Sequence, residues 1–295
     1  MPDHVPVMRA ETLAALAPER GGVFVDCTVG AGGHAAALLD AGATRLIGID
    51  RDAEALAVAR ERLQRWGDRV ELVQADYRRL DEVLDARGVT LVDGVLADLG
   101  VSSLQLDGEG RGFSFQRDEP LDMRADRSAG ITAAELIAGL TETELADLIY
   151  GFGEERHSRR IARAIVDARR RGPVATTGQL AAIVRRAVPR TRYTPLHPAT
   201  RTFQALRIRV NGELEGLDGF VDGACRRLAP DGRLVVIAFH SLEDRIVKHT
   251  LRRLAADERR SLRILTKRPL RPGEAEVAAN PRSRSAHLRA VERTG

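Results

Sequence analysis

Over the first hundred residues, short apolar runs rich in β-branched side chains alternate with amphipathic stretches of helical period. Residues 9–17 put Leu13, Leu16 and Ala17 on one face and predict a short helix. Val23-Phe24-Val25 predicts a strand, followed by a glycine-rich turn and a helix opening on Ala35-Ala36-Ala37-Leu38-Leu39. A second strand spans 45–50. Its helix runs over 52–66, with Ala55, Leu56, Ala59 and Leu63 as the buried stripe. A third strand covers 69–74, a short helix 79–87, and a fourth strand 91–98. Strands alternating with helices make a parallel, doubly wound α/β sheet.

That alternation stops at Asp98. A polar, glycine-rich stretch runs to about residue 130, and helical patterns follow at 132–139, 141–150, 155–171 and 176–187. Thr132 with Glu135, and Thr141 with Glu144, have capping-box spacing. The sheet pattern returns with a helix at 213–228, a turn at 229–232, a buried strand at 233–240 and a helix at 242–255. Residues 262–266 and 286–291 alternate as an antiparallel edge pair, with a loop rich in proline and arginine between them. The expected organisation is a sheet domain over 1–105 and 212–295, split by an α-helical insert over 106–211.

Four acids punctuate the first part. Asp26, Asp50, Asp76 and Asp98 each close a strand, one βα unit apart, and right-handed crossovers bring such strand ends to one edge of the sheet. Any one of them can be explained as a helix cap. All four beside Gly30, Gly32 and Gly33 point to a nucleotide-type cofactor. Gly30 to Ala35 fits a dinucleotide fingerprint, with Asp50 at the ribose distance. Against a nicotinamide dinucleotide, Asp26-Cys27-Thr28-Val29 separates the strand from the glycines. That longer acid-led loop resembles the first motif of S-adenosylmethionine-dependent methyltransferases.

Composition narrows this only a little. The chain has 295 residues, 43% hydrophobic, and a net charge of +4 that permits a nucleic-acid partner without requiring one. Lys248 and Lys267 are the only lysines, so the positive charge is almost all arginine, which suits phosphate forks and base stacking. Two cysteines exclude a disulfide framework, and the seven histidines lack zinc-ligand spacing, so no metal is expected. The start of the chain has no secretory pattern and no apolar run of membrane length occurs. A cytoplasmic protein is the expectation.

The later motifs are more specific. They are Asp98-Leu99-Gly100-Val101-Ser102-Ser103; Arg111-Gly112-Phe113-Ser114-Phe115 running on to Pro120-Leu121-Asp122-Met123-Arg124; Tyr150 to Arg156; His197 to Ile208; Phe239 to Arg245; and Asn280 to Ser285. In order, and over nearly the whole chain, they resemble the bacterial small-subunit rRNA cytosine-N4 methyltransferases, the RsmH (formerly MraW) family. The chain departs from that pattern at Val29, Ala31, Leu104 and Tyr77, none of which removes a polar group from the expected site.

The resemblance implies an enzyme that uses S-adenosylmethionine to methylate the exocyclic amine of one cytidine in the decoding region of 16S rRNA. The substrate would be met free or within the small ribosomal subunit; a homodimer stays open. Cofactor contacts carry over onto Gly32, Gly33, His34, Asp50, Tyr77, Asp98 and Gln105, with Gly30 added from the turn itself. His34 is expected to act through its backbone or to start the helix. Asp76 either meets the adenine amine or caps a helix. Asp98 stands at the reacting end, as catalyst or as cofactor ligand only. A target base must leave its stack to be methylated. Arg156, Arg159, Arg160, Arg163, Arg169, Arg170 and Arg171 are read as one basic helix of an RNA-binding insert, followed by Arg185, Arg186, Arg190 and Arg192. Arg124 and Arg201 are placed near the target nucleotide, with His197 beside them, and His240-Ser241 lines the pocket unless Ser241 and Asp244 merely cap a helix. The rival readings are a nicotinamide-dependent oxidoreductase and a non-catalytic ribosome-assembly factor.

Overall fold

The computed structural model describes residues 6–101, 108–189 and 197–295. The chain forms two compact units, 1–100 with 216–295, and 101–215. The corresponding expected boundaries were 105/106 and 211/212.

In the first unit, β1 (Val23–Asp26), β2 (Arg45–Asp50), β3 (Val70–Gln74), β4 (Val92–Asp98), β5 (Leu228–Ala238), β6 (Leu262–Ile264) and β7 (His287–Arg293) make one sheet in the order β3-β2-β1-β4-β5-β7-β6. The pairings from β3 through β5 are parallel, while β7 runs antiparallel to both β5 and β6. The sheet is therefore mostly parallel with an antiparallel C-terminal edge. Successive residues of the inner strands enter opposite cores. Phe24, Leu46, Leu96 and Val235 join Leu38 and Leu56 on one face. Val25, Ile47, Val95 and Leu234 join Phe220 and Leu251 on the other. Burial on both faces is why these strands read as unbroken apolar runs.

Helices α1 (Arg9–Leu16), α2 (Gly33–Asp40), α3 (Ala53–Leu63) and α4 (Leu80–Asp85) follow the expected order. The second unit holds α5 (Ala133–Gly139), α6 (Glu142–Gly153), α7 (Ser158–Arg169), α8 (Thr177–Ala187) and α9 (Thr200–Asn211) around a core of its own that includes Leu145, Ile161, Leu180 and Leu206. Both expected capping boxes form, and Thr176 with Gln179 makes another. The chain then returns to the sheet through α10 (Leu217–Arg226) and α11 (Ser241–Ala255), and α12 (Glu274–Ala279) lies in the expected loop.

Three expectations are corrected. The helix α9 lies where no helix is expected, and the helix expected at 213–228 begins only at Leu217. Gly212 ends α9 in the left-handed region at φ 58°, where a side chain is strained. The turn expected at 229–232 lies inside β5 as an irregularity, where the pairing to β4 shifts register and Pro230 and Asp231 stay exposed. The basic helix expected at 155–171 shrinks to Ser158–Arg169, so Arg156, Arg170 and Arg171 flank it. No helix among the described residues is long and apolar enough to cross a membrane.

Candidate active site

The chain leaves β1 at Asp26 and turns sharply before α2. Gly32 holds φ 79° as the N-cap, and its N–H donates to the Val29 carbonyl at 2.7 Å. The turn is tied to β2 by Asp50, whose Oδ2 accepts from the Gly30 N–H and whose Oδ1 accepts from the Asp52 N–H, both at 2.9 Å. Burial raises the Asp50 pKa against those two donors. One carboxylate thus fixes the glycine turn and the start of α3 together.

Asp26 is 1% exposed. Its Oδ1 accepts from the Thr28 N–H at 3.2 Å, while its Oδ2 is buried without a hydrogen-bond partner among the described residues. Burial, with the Asp50 charge adding to it, pushes its pKa up to about 7 despite the Thr28 bond. The sequence marks Asp26 as one of four strand-end acids at a cofactor site and as the head of the glycine loop, without a role of its own; an orphaned oxygen leaves no trace in sequence.

Thr28 also reaches β4, its hydroxyl accepting from the Asp98 N–H at 2.7 Å. The Asp98 side chain is 23% exposed, yet its Oδ1 is sealed and unpartnered among the described residues. Burial raises its pKa well above the carboxylate range, and the charges of Asp26 and Glu243 push the same way. The Asp98 Oδ2 lies 3.6 Å from Nε2 of His34, a buried side chain at the start of α2. That is an ion-pair distance, a few tenths beyond a hydrogen bond. His34 starts its helix as expected, but its imidazole, which sequence reading set aside, faces the acid.

Tyr77 packs edge-on against Phe220 with ring centroids 4.8 Å apart, one side of the ring held by the core. Burial raises its phenol pKa. Asp76 caps the turn that follows, accepting from the Arg78 N–H at 2.9 Å and from the Arg78 guanidinium at 2.7 and 2.6 Å. Despite burial, those bonds lower its pKa. The capping role expected of it is thus present. At the end of β5 the pair that caps α11 is His240 with Glu243, one residue earlier than the expected Ser241 and Asp244. Glu243 accepts from the Phe239 N–H at 2.9 Å and the His240 N–H at 3.4 Å. Ser241 is exposed at the first turn, and Asp244 pairs with Arg289 at 2.6 Å. Gln105 lies outside the described residues.

In the helical unit, Arg124 forms a fork with Asp122 at 2.7 and 3.0 Å. Arg201 is exposed, and its Nη1 donates to the Glu154 carbonyl at 3.0 Å. His197 is exposed and stacks on Phe115, centroids 4.5 Å apart at 26°. Phe115 went unweighted in sequence as a partner of His197, although it ends a quoted motif. Of the basic run, Arg159, Arg160 and Arg163 are exposed on α7, Arg163 pairs with Glu142 at 3.3 Å, and Arg169 donates to the Ile137 carbonyl. Arg185 and Arg186 are exposed at the end of α8, and Arg190 and Arg192 lie outside the described residues.

With this geometry in hand, a family model decides the affiliation: the MraW methylase family matches residues 1–294. The chain belongs to the MraW methylase family. It is 55% identical over 292 residues to the ribosomal RNA small subunit methyltransferase H of Sorangium cellulosum, covering 99% of this chain and 91% of that one. Against the proteins of the same name from Nitrobacter winogradskyi and Geotalea uraniireducens the identities are 54% and 49%, with 99% and 98% of this chain covered and 91% and 98% of theirs. Members of the family are S-adenosylmethionine-dependent methyltransferases, and S-adenosylmethionine is the cofactor. The residues present fit it. Two buried carboxylate oxygens at the strand ends beside the glycine turn, on Asp26 and Asp98, lack partners among the described residues, and acceptors of that kind suit a ligand carrying an ammonium and a sulfonium.

Proposed function

We propose that this enzyme methylates the exocyclic N4 amine of a cytidine in the decoding region of 16S rRNA, within the small ribosomal subunit. The named relatives support small-subunit rRNA as the substrate, and the motifs from Asp98 to Ser103 and from His197 to Ile208 support the cytidine and its position. The observation that carries the chemistry is Asp98, a carboxyl partly exposed at a strand end whose inner oxygen is desolvated and lacks a partner among the described residues.

The cofactor supplies an electrophilic methyl group on a sulfonium. The residues do the rest. Asp50 fixes the turn and keeps lone pairs for the ribose hydroxyls, and Tyr77 offers a flat apolar face to the adenine. A cytosine N4 is a weak nucleophile because its lone pair is delocalised into the ring. Asp98 accepts one of its N–H groups, which favours a pyramidal nitrogen with its lone pair aimed at the methyl carbon. Methylation of N4 would leave a surplus N–H proton on the amine, and Asp98 is the residue placed to take it. Burial raises its pKa, and with it the affinity of the ionised carboxylate for that proton. His34 Nε2 faces the other oxygen at 3.6 Å, where a protonated imidazole would pair with the carboxylate. Arg124, Arg201 and His197 are the candidate RNA contacts of the helical unit, and His240 and Ser241 those at the end of β5.

The test is transfer from methyl-labelled S-adenosylmethionine to unmethylated small subunits, followed by digestion to nucleosides. Label is expected in N4-methylcytidine. Label in another nucleoside would discard the geometry assigned to Asp98 while keeping the methyltransferase.

A further inference from the structure

The helical unit presents an aromatic group that packing does not require to be exposed. Phe203 is 4% exposed in the core, and Phe115 stands edge-on to it, centroids 5.0 Å apart at 79°. His197 lies nearly flat on Phe115 at 4.5 Å and 26°, and is itself exposed. A core aromatic, a half-buried aromatic and an exposed flat ring thus form a stack that ends in solvent. Stacked rings of this sort are what unpaired bases settle on, because every base has a π-face.

The ring is also held in orientation. The Ala199 N–H donates to His197 Nδ1 at 3.2 Å, so Nδ1 is an acceptor and, in the neutral imidazole, the proton sits on Nε2. The stack therefore carries an outward Nε2–H donor at its rim. Arg201, four residues on, is exposed and anchored by one Nη1–H to the Glu154 carbonyl, and its other guanidinium donors meet no acceptor among the described residues, so they can serve a phosphate. A flat ring with an edge donor, and a fork four residues on in the first turn of α9, match a nucleotide with its base turned out of the stack and its phosphate held.

From this arrangement we infer that Phe115 and His197 form a stacking subsite for an unpaired RNA base, with Arg201 on the adjoining phosphate. The inference rests on the rRNA reading above and adds to it the mode of contact. His197 supplies the stacking face, and Phe115 supports it.

The test uses the full-length enzyme with His197→Ala, His197→Phe and His197→Gln, measuring dissociation constants for unmethylated small subunits and, separately, for S-adenosylmethionine. Stacking on one base predicts that His197→Ala weakens subunit binding about 10-fold or more. The Phe variant should bind within about 3-fold of the wild type and the Gln variant as weakly as the Ala variant. Cofactor affinity should stay within about 2-fold in all three, which also reports that they fold. Rescue by Gln and not by Phe would overturn stacking in favour of a polar contact. Unchanged binding in His197→Ala would make the stack structural only. Tight wild-type binding of subunits without methyl transfer would sink the proposed activity and leave the subsite standing. Failure of the wild type to bind subunits or RNA would sink both.

Discussion

Asp98 combines two properties that seldom coexist in one carboxyl. Its side chain is 23% exposed, so a substrate can reach it, yet Oδ1 is sealed from solvent. An ordinary surface aspartate would be well solvated and a poor proton acceptor at neutral pH. Burial and the charges of Asp26 and Glu243 raise this one. Asp98→Asn keeps the shape and a hydrogen-bond acceptor but removes the carboxylate that can take a proton. It should retain the fold and lose methyl transfer by about 100-fold or more. Cofactor affinity, which a carboxylate serving only as a cofactor ligand would dominate, should fall far less. Equal losses in turnover and affinity, measured by single-turnover transfer and calorimetric titration, would reassign Asp98 to cofactor binding alone. The sequence could announce the position of Asp98, because a strand-end acid after an apolar run is a pattern. It could not announce that His34 lies 3.6 Å away, because that contact depends on how α2 leaves the turn.

At the scale of elements, the parallel strands and their helices were readable because each carries its own signal: an apolar run, a period, a cap. The misreadings sit where two signals compete. Ser241 and Asp244 have the side chains expected of a cap, but the backbone of His240 is extended and that of Ser241 is already helical. The cap is therefore His240 with Glu243, and histidine is an uncommon cap. The helix α9 was hidden inside a motif read for its chemistry rather than its period. The shifted cap has a consequence for stability. Glu243 is 1% exposed and accepts from two backbone N–H groups that β5 cannot satisfy as it ends. Glu243→Ala leaves both without that acceptor, at about 1–3 kcal/mol for an unsatisfied buried donor. Ser241→Ala changes an exposed residue and should stay within about 0.5 kcal/mol. Thermal unfolding of the two variants should differ by several degrees, and equal midpoints would return the cap to Ser241 and Asp244.

Over the whole molecule, the sheet gathers its acids at one edge, and that gathering opposes its own stability. The Asp26 pKa of about 7 in the folded chain lies above the 3.8 of a free carboxyl. Between those values the folded state binds the proton more tightly than the unfolded state does. Stability present at acid pH is therefore lost as the pH rises from about 4 to 7. For this buried group the loss amounts to about 4 kcal/mol at most. A cofactor of net positive charge would offset it by pairing with the ionised carboxylates, which would link binding and stability through the same atoms. Two outcomes follow. The rise in unfolding temperature caused by saturating S-adenosylmethionine should be several degrees larger at pH 8 than at pH 6. Asp26→Asn, which keeps an acceptor for the Thr28 N–H, should raise the unfolding temperature of the cofactor-free protein at pH 8, leave it unchanged near pH 4, and flatten the pH dependence of the cofactor effect. Such a trade of stability for binding belongs to a site built to hold charge. A cofactor effect equal at both pH values would mean that Asp26 keeps its proton in the complex, and the cationic ligand would then be compensated by Asp98 alone.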